Sequence, residues 1–205
     1  MTLLTVLKLM HLAGLVMGFG AAALADFTVL REAIFKPIRQ QTIDMVRGLS
    51  HIVFVGLALL WASGIALVWL RASADPHMLM NQKIWAKVAI VCILTVNGIA
   101  VHGFAFRELQ SRCGLRLFNL QQPEQMGKLS LIAAISSVSW MMPIVLGTAT
   151  ELNFKVEAIS LLGLWAVLVI AVFCVFQMIA RLSAHDFGRR TEAVRGFGST
   201  GSLLP

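Results

Sequence analysis

The stretch Ile84-Trp85-Ala86-Lys87-Val88-Ala89-Ile90-Val91-Cys92-Ile93-Leu94-Thr95-Val96-Asn97-Gly98-Ile99-Ala100-Val101-His102-Gly103-Phe104-Ala105-Phe106 lies between Lys83 and Arg107. Its 23 residues, rising about 1.5 Å each, are enough to cross a hydrocarbon layer of about 30 Å. A lysine, an asparagine and a histidine sit inside this span. Ionisable groups are expensive in lipid and by default face a bundle interior, a partner or a cofactor. Lys87, Val91, Leu94, Gly98 and His102 follow one another at steps of three and four, so a regular helix puts them on one stripe. Gly98, one turn from His102, leaves room for a flat ligand or for another helix. The stretch reads as a transmembrane helix that walls a polar site.

Composition extends this reading outward to the whole chain. Of 205 residues, 58% are hydrophobic and only 13% are charged, against about 25% charged in a soluble domain. The expected spans are about 3–28, 48–70, 84–106, 129–150 and 158–180. The fold class is therefore all-α: a polytopic membrane helix bundle of five transmembrane helices forming one domain over residues 1–182. A partly disordered tail over 183–205 follows, because it carries Arg189-Arg190 and ends in Gly and Ser. Lys8 and His11 interrupt the first run, which argues for a retained span and against a cleaved leader.

The net charge of +7 comes from basic loops beside the spans and implies no nucleic-acid partner. The three cysteines include no C-x-x-C pair, which excludes a zinc ribbon, a covalent c-type haem site and a disulfide framework. No nucleophile–base pair, phosphate loop or paired carboxylates point to a hydrolase or a transferase. Asp26 reads as a helix-end charge or a proton-relay group.

Orientation follows from the distribution of Lys and Arg. The loops at 31–47 and 107–128, together with the tail, hold twelve of them. Arg71, Lys83 and Lys155 are the three on the other side. This predicts a cytoplasmic C-terminus and an N-terminus outside. Relative to the midplane, His51 is expected about 12 Å, and His102 about 10 Å, toward the cytoplasm. His11 falls a few ångströms beyond the midplane on the outer side, with Lys8 and Lys87 roughly 10 Å out. The membrane thus holds two polar levels, and the inner one offers two imidazoles at matched depth, as the axial ligands of one haem require.

Other roles stay open at this point. A membrane histidine also serves as a hydrogen-bond partner for a serine or a carbonyl. Lys8 and Lys87 neutralise propionates, a substrate carboxylate or a lipid head group, or else snorkel to the interface. The small residues Gly14, Gly18, Ala21 and Ala22 permit close packing of helices or of a porphyrin.

Lys8-Leu9-Met10-His11, a Lys-x-x-His opening the first span, and Trp85-Ala86-Lys87 leading to His102 resemble the HemJ-type membrane protoporphyrinogen oxidases and the related CopD-like copper-resistance proteins. The similarity covers about residues 5–105. It implies a multi-pass protein of the bacterial inner (cytoplasmic) membrane that binds b-type haem (heme b) and handles electrons from a quinone or a porphyrinogen. It also implies that His11 and Lys87 matter for activity. Two features depart from the HemJ pattern. The chain reads as five spans where that family usually has four, and Gly18-Phe19-Gly20-Ala21-Ala22 replaces an aromatic-rich segment.

Three functions are expected to compete. The first is an electron-transferring haem oxidoreductase with His11, His51 and His102 as iron ligands and Lys8, Lys87 and Gly98 lining the site. The second is copper handling through His77, Met78 and Met80, with Met10, Met17, Met141 and Met142 in the spans. The third is a non-catalytic subunit of a larger membrane complex or a homo-oligomer, with Ser136, Ser137, Ser139 and Trp140 facing a partner or helix three.

Overall fold

The computed structural model describes residues 2–115 and 123–199. Among these residues every regular element is helical, and five helices are long and apolar enough to cross a bilayer. They are α1 (Leu3–Phe35), α2 (Gln40–Ala74), α3 (Gln82–Ser111), α4 (Pro123–Thr148) and α5 (Ala158–Ser199). Large apolar side chains point outward along their length, among them Val16, Phe54, Ile99 and Ile170. In water such a surface is unfavourable, and in a bilayer it is the ordinary lipid-facing side. The chain is a membrane protein.

The helices overrun the apolar segments. Most of the loop expected at 31–47 is helix, and only residues 36–39 interrupt it. Hydropathy marks where lipid ends, whereas a helix ends where its hydrogen bonds do, and Arg, Glu and Gln continue a helix well. Pro37 forces the break, since the residue before a proline is pushed out of the helical region. Residues 116–122 of the expected 107–128 loop lie outside the described residues. The backbone of the expected tail is helical through Ser199, and 200–205 lie outside the described residues.

α1 and α2 form one tight unit. A Cβ on Gly56 would stand 2.5 Å from the Gly18 nitrogen, and one on Gly14 would stand 2.9 Å from the Gly56 carbonyl oxygen. A Cβ on Gly18 would overlap the Trp140 ring of α4. These glycines therefore serve helix packing, and the neighbouring helices fill the space beside them. α4 is the central helix: 39% of its membrane window is buried, against 11–22% for the others. Ser139 accepts the Trp165 Nε1–H of α5 at 3.1 Å, and buried Asn97 of α3 donates to Ile132 O at 3.1 Å. Ser139 and Trp140 are thus internal joints of the bundle.

α2 and α3 meet differently. Their backbones scarcely approach over most of their length, and side chains fill the interval: Leu57, Leu60, Leu94 and Trp140 share one cluster. Two contacts reach across the seam. Trp61 Nε1–H donates to Thr95 Oγ1 at 3.1 Å, and the Arg47 guanidinium lies 5.5 Å from the Phe106 ring centre. At the Arg47 end of the bundle the 36–39 linker pairs with the end of α3. Ile38 N–H donates to Leu115 O at 3.0 Å, and Gly114 N–H donates to Ile38 O at 2.8 Å. Gly114 makes that turn at φ +81, in the left-handed region that glycine enters without strain.

Candidate functional site

The first polar level is built around His11. Its half-buried imidazole lies where α2 carries Ser63-Gly64. His11 Cε1 would be 3.4 Å from a Cβ on Gly64, so a side chain there would crowd the ring. Ser63 Oγ donates to Leu59 O at 2.5 Å. With its proton committed there, the same oxygen accepts from His11 Nδ1, 2.9 Å away. The proton of the neutral ring is then on Nδ1 and the lone pair on Nε2, the usual consequence of a second partner fixing the tautomer. The hydrogen bond to a serine is one of the roles expected for a membrane histidine.

Lys87 of α3 is half-buried and stands within electrostatic range of His11. The pair named by the resemblance thus occupies one neighbourhood. Lys8 is exposed on α1. One turn before Lys87, Lys83 is buried. Its Nζ donates to Ala149 O at 2.5 Å and to Asn153 Oδ1 at 3.0 Å, which pins the connection between α4 and α5 onto α3.

The second level holds His51 and His102. From Arg47, one turn along α2 reaches His51. From its partner Phe106, one turn back along antiparallel α3 reaches His102. The two imidazoles are therefore at the same level of the seam. Both are exposed, and neither makes a hydrogen bond to another described residue. His102 packs its ring against Phe106, with centroids 6.3 Å apart. A Cβ on Gly98 would meet nothing within 4 Å, so the expected open space beside that glycine is present.

Along the stripe expected from Lys87 to His102, Lys87, Val91 and Gly98 are half-buried, Leu94 is buried and His102 is exposed. A π-helical turn begins at Val101, where Phe106 N–H bonds to Val101 O, and it widens α3 from there on.

His11 cannot share an iron with the other two. Ser63 and His51 are twelve residues apart on α2, about 18 Å along the axis. Among the described residues no three His, Cys, Asp or Glu side chains converge. The methionine set disperses. In the 3-10 turn Pro76–Met80, exposed His77 and Met80 share a face, while Met78 lines a neighbouring cavity. Met142 is core, packed with Ala86 and Ile90, and Met10, Met17 and Met141 are exposed.

Ser63, Gly64 and Lys83 escaped the sequence reading. Ser63 and Gly64 look like ordinary small residues of a span, and Lys83 like a flanking charge. Only the helix pairing gives them partners. Comparison with protein-family models, curated proteins and solved structures finds no match to this chain.

Proposed function

We propose that the chain is an integral membrane b-type haem protein that transfers electrons, an oxidoreductase acting on a quinol or a porphyrinogen. The matched register of His51 and His102 carries this reading. These two imidazoles on antiparallel helices, neither hydrogen-bonded to another described residue, beside the open space at Gly98, would hold a b-type haem. When bound, the haem supplies one-electron chemistry, and the surrounding helices set its potential through burial.

The chain's own contribution lies at the other level. His11, held by Ser63 with its lone pair on Nε2, accepts the proton that a quinol or a porphyrinogen releases with its electrons. Lys87 beside it offsets negative charge on such a substrate. The twelve-to-three bias of Lys and Arg supports an N-terminus outside and a C-terminus in the cytoplasm, and the family resemblance supports a bacterial inner membrane.

A reduced-minus-oxidised spectrum of purified protein, with haem counted per chain, tests the reading. The expected result is a b-type band that His51→Ala and His102→Ala each abolish and His11→Ala leaves in place. Protein that takes up no haem on reconstitution, or a band that survives the double His51/His102 change, overturns it.

A further inference from the structure

Beyond the histidine levels, a cavity of about 310 Å³ opens where the α2–α3 and α4–α5 connections meet. Arg71, Lys83 and Lys87 line it together with Asn81, Thr150 and Asn153, and among the described residues no carboxylate does. Among the described residues the ion pairs are Arg112–Glu108 and Lys128–Glu124, both on other faces. Three cations gathered without a counter-charge repel one another, more strongly where water is scarce.

The amides point the same way. Asn81 Oδ1 accepts the Lys83 backbone N–H at 3.2 Å, and Asn153 Oδ1 accepts Lys83 Nζ at 3.0 Å. Each oxygen already accepts from Lys83, and each amide also carries an NH2 group able to donate to the cavity. The lining is thus cationic and donor-rich, the chemistry that binds an oxyanion through charge-assisted hydrogen bonds. Next to it lies an apolar groove of about 100 Å³, walled by Leu67, Val68 and Leu79, with Arg71, Met78 and Ile84 common to both.

A polar anion site continuous with an apolar groove matches an amphiphile. We infer that this cavity binds the phosphate of an anionic membrane lipid, with the start of an acyl chain in the groove. The inference stands on the cavity alone and does not depend on the haem reading.

Native mass spectrometry of the full chain in detergent tests it, with phosphatidylglycerol or phosphatidylcholine added and, in a separate arm, inorganic phosphate. The expected result is selective retention of one phosphatidylglycerol per chain. Retention falls at least tenfold in Arg71→Gln/Lys87→Gln and severalfold in Arg71→Gln alone, where an exposed side chain changes and folding is not at risk. Arg71→Lys/Lys87→Arg keeps the charge and retains the lipid. If inorganic phosphate binds with the same dependence on these residues while phosphatidylglycerol gains nothing over phosphatidylcholine, the lipid assignment falls and the oxyanion site stands. Equal retention of both lipids with no phosphate binding, or retention unchanged in the Gln variants, overturns the inference.

Discussion

The seam between α1 and α2 and the seam between α2 and α3 bring helices together by opposite means. In the first, glycines let backbone meet backbone: Gly14, Gly18 and Gly56 leave no space for even one added carbon. In the second, backbones stay apart and side chains reach over, through Trp61 to Thr95 and through Arg47 to Phe106. A close-packed seam has one arrangement, because separating it forfeits many contacts at once. A bridged seam depends on a few bonds. The exposed, register-matched His51 and His102 lie on the bridged seam, where a guest group displaces lipid and no helix packing. The same sequence thus builds a close-packed pair and a bridged edge on two sides of α2.

The largest effect is expected from breaking the close-packed seam. Gly56→Val places a branched side chain against the Gly18 backbone, which cannot give way as a side chain would. Overpacking costs about 1–3 kcal/mol and more where backbone must move, so a loss of about 3 kcal/mol or more is expected. Gly20 is on α1 as well, with nothing within 4 Å of an added Cβ. Gly20→Ala should be neutral or stabilising by up to about 1 kcal/mol from helix propensity. Thermal unfolding in detergent reads both. A Gly56→Val protein that melts with the parent breaks the contrast between the seams.

A smaller effect falls on the joint that α1 and α2 build together. Ser63→Ala removes the acceptor that holds the proton on His11 Nδ1. A buried hydrogen bond is worth about 1 kcal/mol, or roughly a fivefold preference between two tautomers. Nitrogen-15 NMR of labelled histidine should show one His11 tautomer in the parent and a mixture in Ser63→Ala. A single unchanged tautomer in the variant shows that Ser63 does not set the proton's place.

What the sequence disclosed follows the range of the forces involved. The five spans and the matched depth of His51 and His102 depend only on counting residues between charges, and a helix makes counting equal to distance. The ends of the helices were hidden because Arg31 and Glu32 suit a helix as well as a loop. The π-helical turn at Val101–Ala105 was hidden, because no residue type announces such a turn. Lys83 looked like a flanking charge, since the groups that hold it, Ala149 and Asn153, come from the distant connection between α4 and α5. The glycines of α1 were readable as small but not as packed, because their neighbours belong to α2 and α4.

The finest test concerns one bond of the bridged seam. Thr95 Oγ1 donates to Val91 O at 2.7 Å, so it meets Trp61 as an acceptor. Trp61→Phe removes the donor and keeps most of the ring area. Hydrogen bonds between membrane helices average about 0.6 kcal/mol in double-mutant cycles, since the separated helices find other partners. A cycle of Trp61→Phe with Thr95→Val should therefore return a coupling of about that size. This is several times less than the penalty expected for Gly56→Val. A coupling as large as that penalty would mean that α2 and α3 are locked as firmly as α1 and α2, and the seam that presents His51 and His102 would lose its contrast with the close-packed one.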